Sequence, residues 1–199
     1  MPNEIYLDIE SVAIPERTEE FKIEFPKTDP EKQALYPDYA QLACICAMCD
    51  EDEFRVGAWI KGGEAELLQT FWAWVKAIKV ELKMVFPMLV TFNGKDFDYP
   101  FIIRRSMYHR VKPTMHWDTL PYRTENHRDV RLELAFGDKR MKGRFEQLIR
   151  WLFGHELETD KSLIGKWWVA KEYDKILELC WQDVVWLKQL SERMEGYYW

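Results

Sequence analysis

The sequence has 199 residues, of which 47% are hydrophobic and 15% aromatic, and it carries a formal net charge of −6. This much apolar material supports a packed core and excludes an intrinsically disordered chain. The negative charge excludes binding to nucleic acid through a broad basic surface, so a nucleic-acid partner would have to be held locally or through bound cations.

The apolar segments are too short for a membrane protein. None approaches the ~20 residues that span a bilayer. The first ten residues, MPNEIYLDIE, contain Glu and Asp but no basic stretch, which argues against a secretory signal. We therefore expect a cytoplasmic protein without a membrane partner, and the length fits one domain over residues 1–199.

The first half of the chain predicts three strands and a helix. NEIYLDIE alternates apolar and polar residues, as a strand does. Residues 15–38 are rich in proline and charge and predict a long surface excursion, with a short helix as an option. QLACICAMCD and FRVGAWI then predict a hairpin, and EAELLQTFWAWVKAIK has apolar residues at helical spacing.

The second half predicts further strands and helices in alternation. PMLVTFN predicts a strand that ends at Asn93-Gly94, and a helix should begin near Pro100. MHWDTL predicts a short strand, GRFEQLIRWLFG an amphipathic helix that ends at Gly154, and residues 171–194 a long final helix. This order predicts an α/β fold with a mixed central sheet flanked by helices.

Three of the four cysteines lie together in the segment CICAMC. A tetrahedral zinc site needs four ligands, and no second Cys/His pair of familiar spacing follows. We interpret these cysteines as small hydrophobic residues of a buried strand.

Carboxylates occur where the pattern predicts burial. Asp8 and Glu10 share one face of the first strand, roughly 7 Å apart. Two like charges this close disfavour joint ionisation unless a cation lies between them. The alternative is the polar face of an edge strand, although the flanking apolar alternation favours a strand deep in the sheet. In the final helix, Asp183 falls on the apolar face, where it needs an arginine, a backbone group or a metal ion as its partner.

The segment NGKDFDYP lies at a predicted strand-to-helix turn. Gly94 permits a tight turn, and Asp98 suits a helix N-terminus as a cap. Capping alone does not account for Asn93, Gly94, Phe97 and Pro100 occurring together.

These segments, D-I-E at residues 8–10, N-G-K-D-F-D-Y-P at 93–100 and Q-D-V at 182–184, resemble the three motifs of the DEDD-type 3′→5′ exonucleases of the RNase H-like superfamily. Their order and spacing are most similar to the proofreading-domain branch, especially the stand-alone B-family-polymerase-like exonucleases. H-W-D-T-L and R-F-E-Q-L-I-R-W-L-F-G resemble further segments of that branch. The resemblance extends from Ile5 to about Met194 and implies an RNase H-like mixed sheet.

The resemblance implies a metal-dependent enzyme that removes nucleotides from DNA 3′ ends, with single strands preferred. It assigns four carboxylates as ligands of two Mg²⁺ or Mn²⁺ ions. Asp8 would bridge both ions, Glu10 and Asp183 would complete the nucleophile side, and Asp98 would serve the leaving-group side. Two such ions about 4 Å apart stabilise the attacking and leaving oxygens of a phosphoryl displacement. A polymerase or a replication or repair complex is a candidate partner.

Substrate contacts are expected beside the second motif. Asn93 and Phe97 are candidates for contacts to the terminal sugar and base, although Phe97 suits a core position equally well. Arg104 and Arg105, followed by Arg110 and Lys112, are candidates for the phosphate backbone, and a second basic run occupies residues 139–144. A charge run is more often only a solvated face.

One position departs from the family pattern. The tyrosine branch has a Tyr four residues before the last Asp, and the histidine branch has a His five before it; this chain has Leu179 and Glu178. Three explanations are open: the cations alone activate the water at a lower rate; another residue, such as Glu178 or one near His155 and Glu156, substitutes; or the domain binds nucleic acid with little or no catalysis. Loss of general acid–base help typically costs about 10²–10⁴ in rate. Action on RNA is a further alternative.

Overall fold

The computed structural model describes residues 4–50, 52–60, 62–81, 87–121, 123–136, 143–157 and 160–198. Its strands are β1 (Glu4–Ala13), β2 (Ala40–Cys49), β3 (Asp52–Gly57), β4 (Met88–Thr91) and β5 (His127–Asp129). Its α-helices are α1 (Thr18–Glu24), α2 (Glu64–Glu81), α3 (Asp98–Tyr108), α4 (Val130–Leu134), α5 (Phe145–Phe153), α6 (Ser162–Ala170) and α7 (Tyr173–Tyr198). Short 3-10 helices occupy Pro15–Arg17 and Pro30–Leu35.

The strands form one mixed sheet in the order β3-β2-β1-β4-β5. β1 is antiparallel to β2 and parallel to β4, and β4 is parallel to β5. The predicted α/β fold with a mixed sheet is therefore confirmed. No described helix combines the length and apolar composition that a bilayer span requires.

The central position of β1 gives each of its faces a separate core. Ile5, Leu7 and Ile9 are buried in the core that contains α2, whereas Tyr6 is buried in the core that contains α7. Because side chains alternate along a strand, Asp8 and Glu10 face α7 with Tyr6. The register of β1 thus directs both carboxylates towards the final helix.

The long helices follow the predicted periodicity. α2 buries an apolar stripe that includes Leu67, Phe71 and Val75, and α7 buries one that includes Ile176, Leu187 and Leu190. Each stripe packs on one face of the sheet. The 18-residue α2 therefore packs on β2 and β3, and the 26-residue α7 packs on the opposite face of the sheet, chiefly on β1 and β2.

The structure differs from the predicted elements at several places. MHWDTL forms no strand, because the Asn126 side chain bonds the backbone of both His116 and Asp118 in place of a strand partner. The fifth strand is β5 instead. The short helices α4 and α6 were not predicted, and the second hairpin strand ends at Gly57. The excursion at 15–38 contains one α-helix, α1. The buried Phe21 of this helix packs against other aromatic rings, namely Phe25, Tyr36 and Tyr39.

Three thiols meet where β2 faces α7. The sulfurs of Cys44, Cys46 and Cys180 lie within 4.8 Å of one another, and all three residues are fully buried. Burial raises the pKa of the Cys44 and Cys180 thiols, which therefore stay protonated and behave as apolar groups.

Candidate metal-binding and catalytic site

Three carboxylates converge between β1 and α7. One oxygen from each of Asp8, Glu10 and Asp183 lies within 4.8 Å of the other two. The alternation of β1 supplies the first two residues, and the buried face of α7 supplies the third. The structure therefore brings together three of the four predicted metal ligands, which we call the carboxylate triad.

The triad lies in surroundings that disfavour three negative charges. Glu10 and Asp183 are 7% and 9% exposed. Burial raises the pKa of Asp8, and the charges of Asp183 and Asp98 raise it further. Burial also raises the pKa of Glu10 and of Asp183. Anionic oxygens at such close range are stabilised by a cation.

One oxygen of the triad has no partner among the described residues. Asp8 Oδ2 is buried and accepts no hydrogen bond. A buried acceptor without a partner costs free energy. Carboxylate oxygens are the donors that Mg²⁺ and Mn²⁺ prefer, so the triad fits a hard divalent cation.

Lys161 places a positive charge in direct contact with the triad. Its Nζ donates to Glu10 Oε1 and to Asp183 Oδ2, each at 2.7 Å. Burial alone would lower the pKa of the ammonium group, but the charges of Glu10, Asp183 and Asp8 raise it above its usual value. Sequence reasoning missed Lys161, whose only signal is a lone lysine before the apolar segment SLIGKWWVA.

Asp98, the fourth predicted ligand, lies beside the triad. It is the first residue of α3 and is 4% exposed. Burial raises the pKa of Asp98 to about 7, and the charges of Asp129 and Glu10 contribute, while the backbone amides of Asp98 and Ile9 oppose the rise. It also lines the same cavity as Asp8 and Glu10.

The turn before α3 is held by a residue that sequence reasoning missed. Asp129 accepts hydrogen bonds from the backbone nitrogens of Asn93 at 3.0 Å and Lys95 at 3.1 Å. It also caps α4. Asn93 has a φ of +68°, and a Cβ added at Gly94 would lie 2.4 Å from the Cβ of Thr91. The only advance signal for Asp129 is its position as an N-cap residue.

The predicted substrate residues have different surroundings. Asn93 accepts from Arg131 Nη1 at 2.6 Å, and Phe97 is half-buried with its ring edge against Phe101. Arg105 is 3% exposed and donates to both carboxylate oxygens of Glu64, at 2.9 and 2.6 Å. This placement does not support a contact between Arg105 and phosphate, and it gives Arg105 a structural partner.

Arg104 is also paired within the protein. Its guanidinium contacts the Asp38 carboxylate at the surface. Neither Arg104 nor Arg105 is among the described residues that line the two cavities defined below. The basic residues Lys139, Arg140 and Lys142 of the second run lie outside the described residues.

The residues around the missing tyrosine are now placed. Leu179 is 6% exposed in the α7 core, one turn before Asp183. Glu178 is exposed and accepts from Gln182 Nε2 at 3.2 Å, and His155 packs on the Trp186 ring with centroids 4.6 Å apart. Glu178 and His155 thus have partners elsewhere in the described part of the chain, whereas Lys161 bonds the triad directly.

Two cavities meet beside the triad. The first, which we call the carboxylate cavity, has about 720 Å³, and its wall includes Asp8, Glu10, Asp98, Phe97, Leu35 and Ile164. The second, the arginine cavity, has about 630 Å³, and its wall includes Arg131, Arg144, Arg150, Glu146 and Glu156. Phe92 and Asn93 line both.

Comparison with known proteins agrees with this geometry. A family model described as a predicted 3′-5′ exonuclease related to the exonuclease domain of PolB matches residues 35–187. That range contains Asp98 and Asp183, whereas Asp8 and Glu10 precede it. Among curated proteins, no sequence matches the chain.

A solved structure extends the likeness to the N-terminal strand. The family B DNA polymerase from the hyperthermophilic archaeon Pyrobaculum calidifontis aligns over 96% of this chain with a TM-score of 0.68 and 12% identity. This chain spans 24% of that polymerase. The sheet is therefore the RNase H-like sheet that the motifs implied. Since the family model matches most of the length of this chain, the chain belongs to the family of predicted 3′-5′ exonucleases related to the exonuclease domain of PolB.

Proposed function

We propose that the protein removes nucleotides from the 3′ ends of single-stranded DNA by metal-dependent phosphodiester hydrolysis with two divalent cations. The observation that carries this proposal is the carboxylate triad, with Asp98 beside it and a buried oxygen of Asp8 that has no partner among the described residues. Membership of the exonuclease family supports the same reaction class.

We assign the four carboxylates to two cations as the family resemblance implies. Asp8, Glu10 and Asp183 would hold one Mg²⁺ or Mn²⁺, and Asp8 with Asp98 would hold the second. When bound, the cations supply the positive charge that activates a water molecule and neutralises the phosphate being cleaved. The protein contributes a fixed arrangement of oxygens, because β1, α3 and α7 each hold their carboxylates within the packed core.

Lys161 is our candidate for the function that Leu179 does not provide. The leucine has no polar hydrogen, whereas the Lys161 ammonium has three, and it already bonds two members of the triad. Once a cation takes the place of the ammonium group on Glu10 and Asp183, Lys161 would be free to orient the attacking water or to contact a phosphate oxygen. We therefore infer that catalysis does not require the tyrosine of the related branch.

The terminal nucleoside fits the carboxylate cavity best. Its wall combines the carboxylates with apolar side chains, including Leu35, Phe97 and Ile164, against which a base would pack. Asn93 also lines this cavity, and its side-chain nitrogen would donate to the sugar, since its backbone groups and Oδ1 already have partners within the protein. Since the charge of the whole chain is −6, these local contacts and the cations would have to retain the substrate.

Labelled oligonucleotides test the proposal. Single-stranded DNA with a 5′ label should shorten one nucleotide at a time in Mg²⁺ or Mn²⁺, and EDTA should stop the reaction. Asp8→Asn should abolish the shortening, while Asp174→Asn, which removes an exposed carboxylate at the start of α7, should not. RNA of the same sequence and duplex DNA with a recessed 3′ end test the substrate preference.

The results separate the alternatives. Binding of single strands without metal-dependent shortening would show a non-catalytic nucleic-acid-binding module of the same fold. Faster cleavage of RNA than of DNA would make the protein an exoribonuclease. Activity that Asp8→Asn retains would exclude the carboxylate triad as its source.

A further inference from the structure

The two cavities adjoin at the turn before α3. Phe92 and Asn93 belong to the walls of both. A strand whose 3′-terminal nucleotide occupies the carboxylate cavity can therefore pass Asn93 directly into the arginine cavity.

The described residues of the two cavity walls have net formal charges of opposite sign. The arginine cavity has three arginines and two glutamates, which leave a formal charge of +1. The carboxylate cavity has three lysines and five carboxylates, which leave −2. Phosphate groups are held chiefly by cationic side chains, so of these two cavities only the arginine cavity attracts them without bound metal.

One arginine of this wall is already positioned. Arg131 is half-buried in α4, and its Nη1 donates to the side-chain oxygen of Asn93 at 2.6 Å. This bond uses one of the five N–H groups of the guanidinium. The planar guanidinium is the side chain best suited to bidentate contact with phosphate. Arg131 is thus fixed at the point where the two cavities join.

The other two arginines extend the path along α5. Arg144 precedes the helix and Arg150 lies in its last turn, and both are exposed. Trp151, the next residue, is 72% exposed. Basic side chains combined with an exposed aromatic ring are what single-strand-binding surfaces use to hold phosphates and stack bases.

We propose that the arginine cavity binds the backbone phosphates of the strand behind its 3′-terminal nucleotide, with Arg131, Arg144 and Arg150 as the phosphate ligands. This inference rests on the proposed function. It adds the direction in which the bound strand extends from the carboxylate triad. The volume of about 630 Å³ lies within the roughly 300–1,000 Å³ of typical ligand sites. An acidic protein thereby holds an anionic polymer through one local surface.

Binding in EDTA tests the inference independently of hydrolysis. Displacement of a fluorescein-labelled dT12 by unlabelled dT8 would be measured by anisotropy. The variant Arg144→Gln/Arg150→Gln should bind dT8 about tenfold more weakly than wild type. Its plot of log Kd against log salt should be shallower by about 1.4, since each phosphate contact on a single strand contributes roughly 0.7.

A matched variant controls for net charge. Arg123→Gln/Arg193→Gln also removes two exposed arginines, and neither lines a described cavity. It should bind dT8 within twofold of wild type. Unchanged dT8 binding in Arg144→Gln/Arg150→Gln, an equal loss in the control variant, or no binding of dT8 by wild type would overturn the inference.

The outcome is separable from that of the proposed function. If wild-type protein binds dT8 through these arginines but hydrolyses nothing in Mg²⁺ or Mn²⁺, the phosphate site is supported and the exonuclease proposal is wrong. If wild-type protein hydrolyses DNA but Arg144→Gln/Arg150→Gln binds dT8 normally, the exonuclease proposal is supported and the phosphate site is wrong.

Discussion

Lys161 Nζ lies 2.7 Å from Asp183 Oδ2, and the same nitrogen lies 2.7 Å from Glu10 Oε1. One ammonium group is therefore shared by two members of the carboxylate triad. Divalent cations would bind to the same oxygens. Lys161 and a cation are thus alternative positive partners of Glu10 and Asp183, and this relationship has measurable consequences.

Replacing the lysine should increase the effect of metal on stability. Lys161→Gln should lower the melting temperature in EDTA, because the buried carboxylates lose their counter-charge. Addition of Mn²⁺ should raise the melting temperature of this variant by more degrees than that of wild type, since the ion no longer displaces the lysine. Differential scanning fluorimetry at pH 8 measures both shifts. Lys171→Gln, which removes an exposed lysine just after α6 that lines neither described cavity, is the control, and equal metal effects in all three proteins would contradict the competition.

Asp98 should make the metal-free protein less stable as the pH rises. Its pKa is about 7 in the folded protein against 3.8 for an ordinary aspartate, because the carboxyl group is buried. The folded state therefore binds the proton more tightly, and the stability gained from it is lost as the pH rises from about 4 to about 7. In EDTA, Asp98→Asn should melt several degrees above wild type at pH 8, and the difference should narrow towards pH 5.

The low pKa of His127 does not disturb this comparison. Burial lowers the pKa of His127 to about 4, so stability is lost as the pH falls from 6.5 towards 4, but both proteins share that effect. Identical melting temperatures of wild type and Asp98→Asn at every pH would show that the Asp98 carboxyl group is not stabilised as the acid. With saturating Mg²⁺ the order at pH 8 should reverse, because Asp98 is then needed as a ligand.

Arg105 should act on stability and not on substrate affinity. Arg105→Met breaks a buried ion pair with Glu64, and the loss of one partner from such a pair typically costs about 3–5 kcal/mol. Urea denaturation should show this loss, whereas KM for single-stranded DNA, measured where the variant is folded, should stay within about threefold. Arg104→Met, which removes an exposed pair with Asp38, should cost under about 1 kcal/mol. A large rise in KM without a loss of stability would restore Arg105 as a substrate ligand.

Local periodicity made the positions of three site residues predictable from the sequence. Alternation along β1 placed Asp8 and Glu10 on one face, and helical spacing placed Asp183 on the buried face of α7. Lys161 and Asp129 were not predictable, because each reaches the site through contacts between segments distant in the chain. The absence of a strand at MHWDTL has a similar cause, since a single side chain, that of Asn126, satisfies backbone groups which a pattern of residue types assigns to a sheet.

Leu179→Tyr should fail to increase turnover. Leu179 is packed in the α7 core, where a larger ring would cost roughly 1–3 kcal/mol and its hydroxyl would need a buried partner. If Lys161 supplies the polar hydrogen, kcat on single-stranded DNA should be unchanged or lower in Leu179→Tyr, while Lys161→Gln should lower it by about 10² or more. Leu179→Met preserves the volume and should match wild type in both kcat and melting temperature. A clear rise in kcat for Leu179→Tyr would show that the site lacks a donor beside Asp183 and that Lys161 acts only on the charge of the triad.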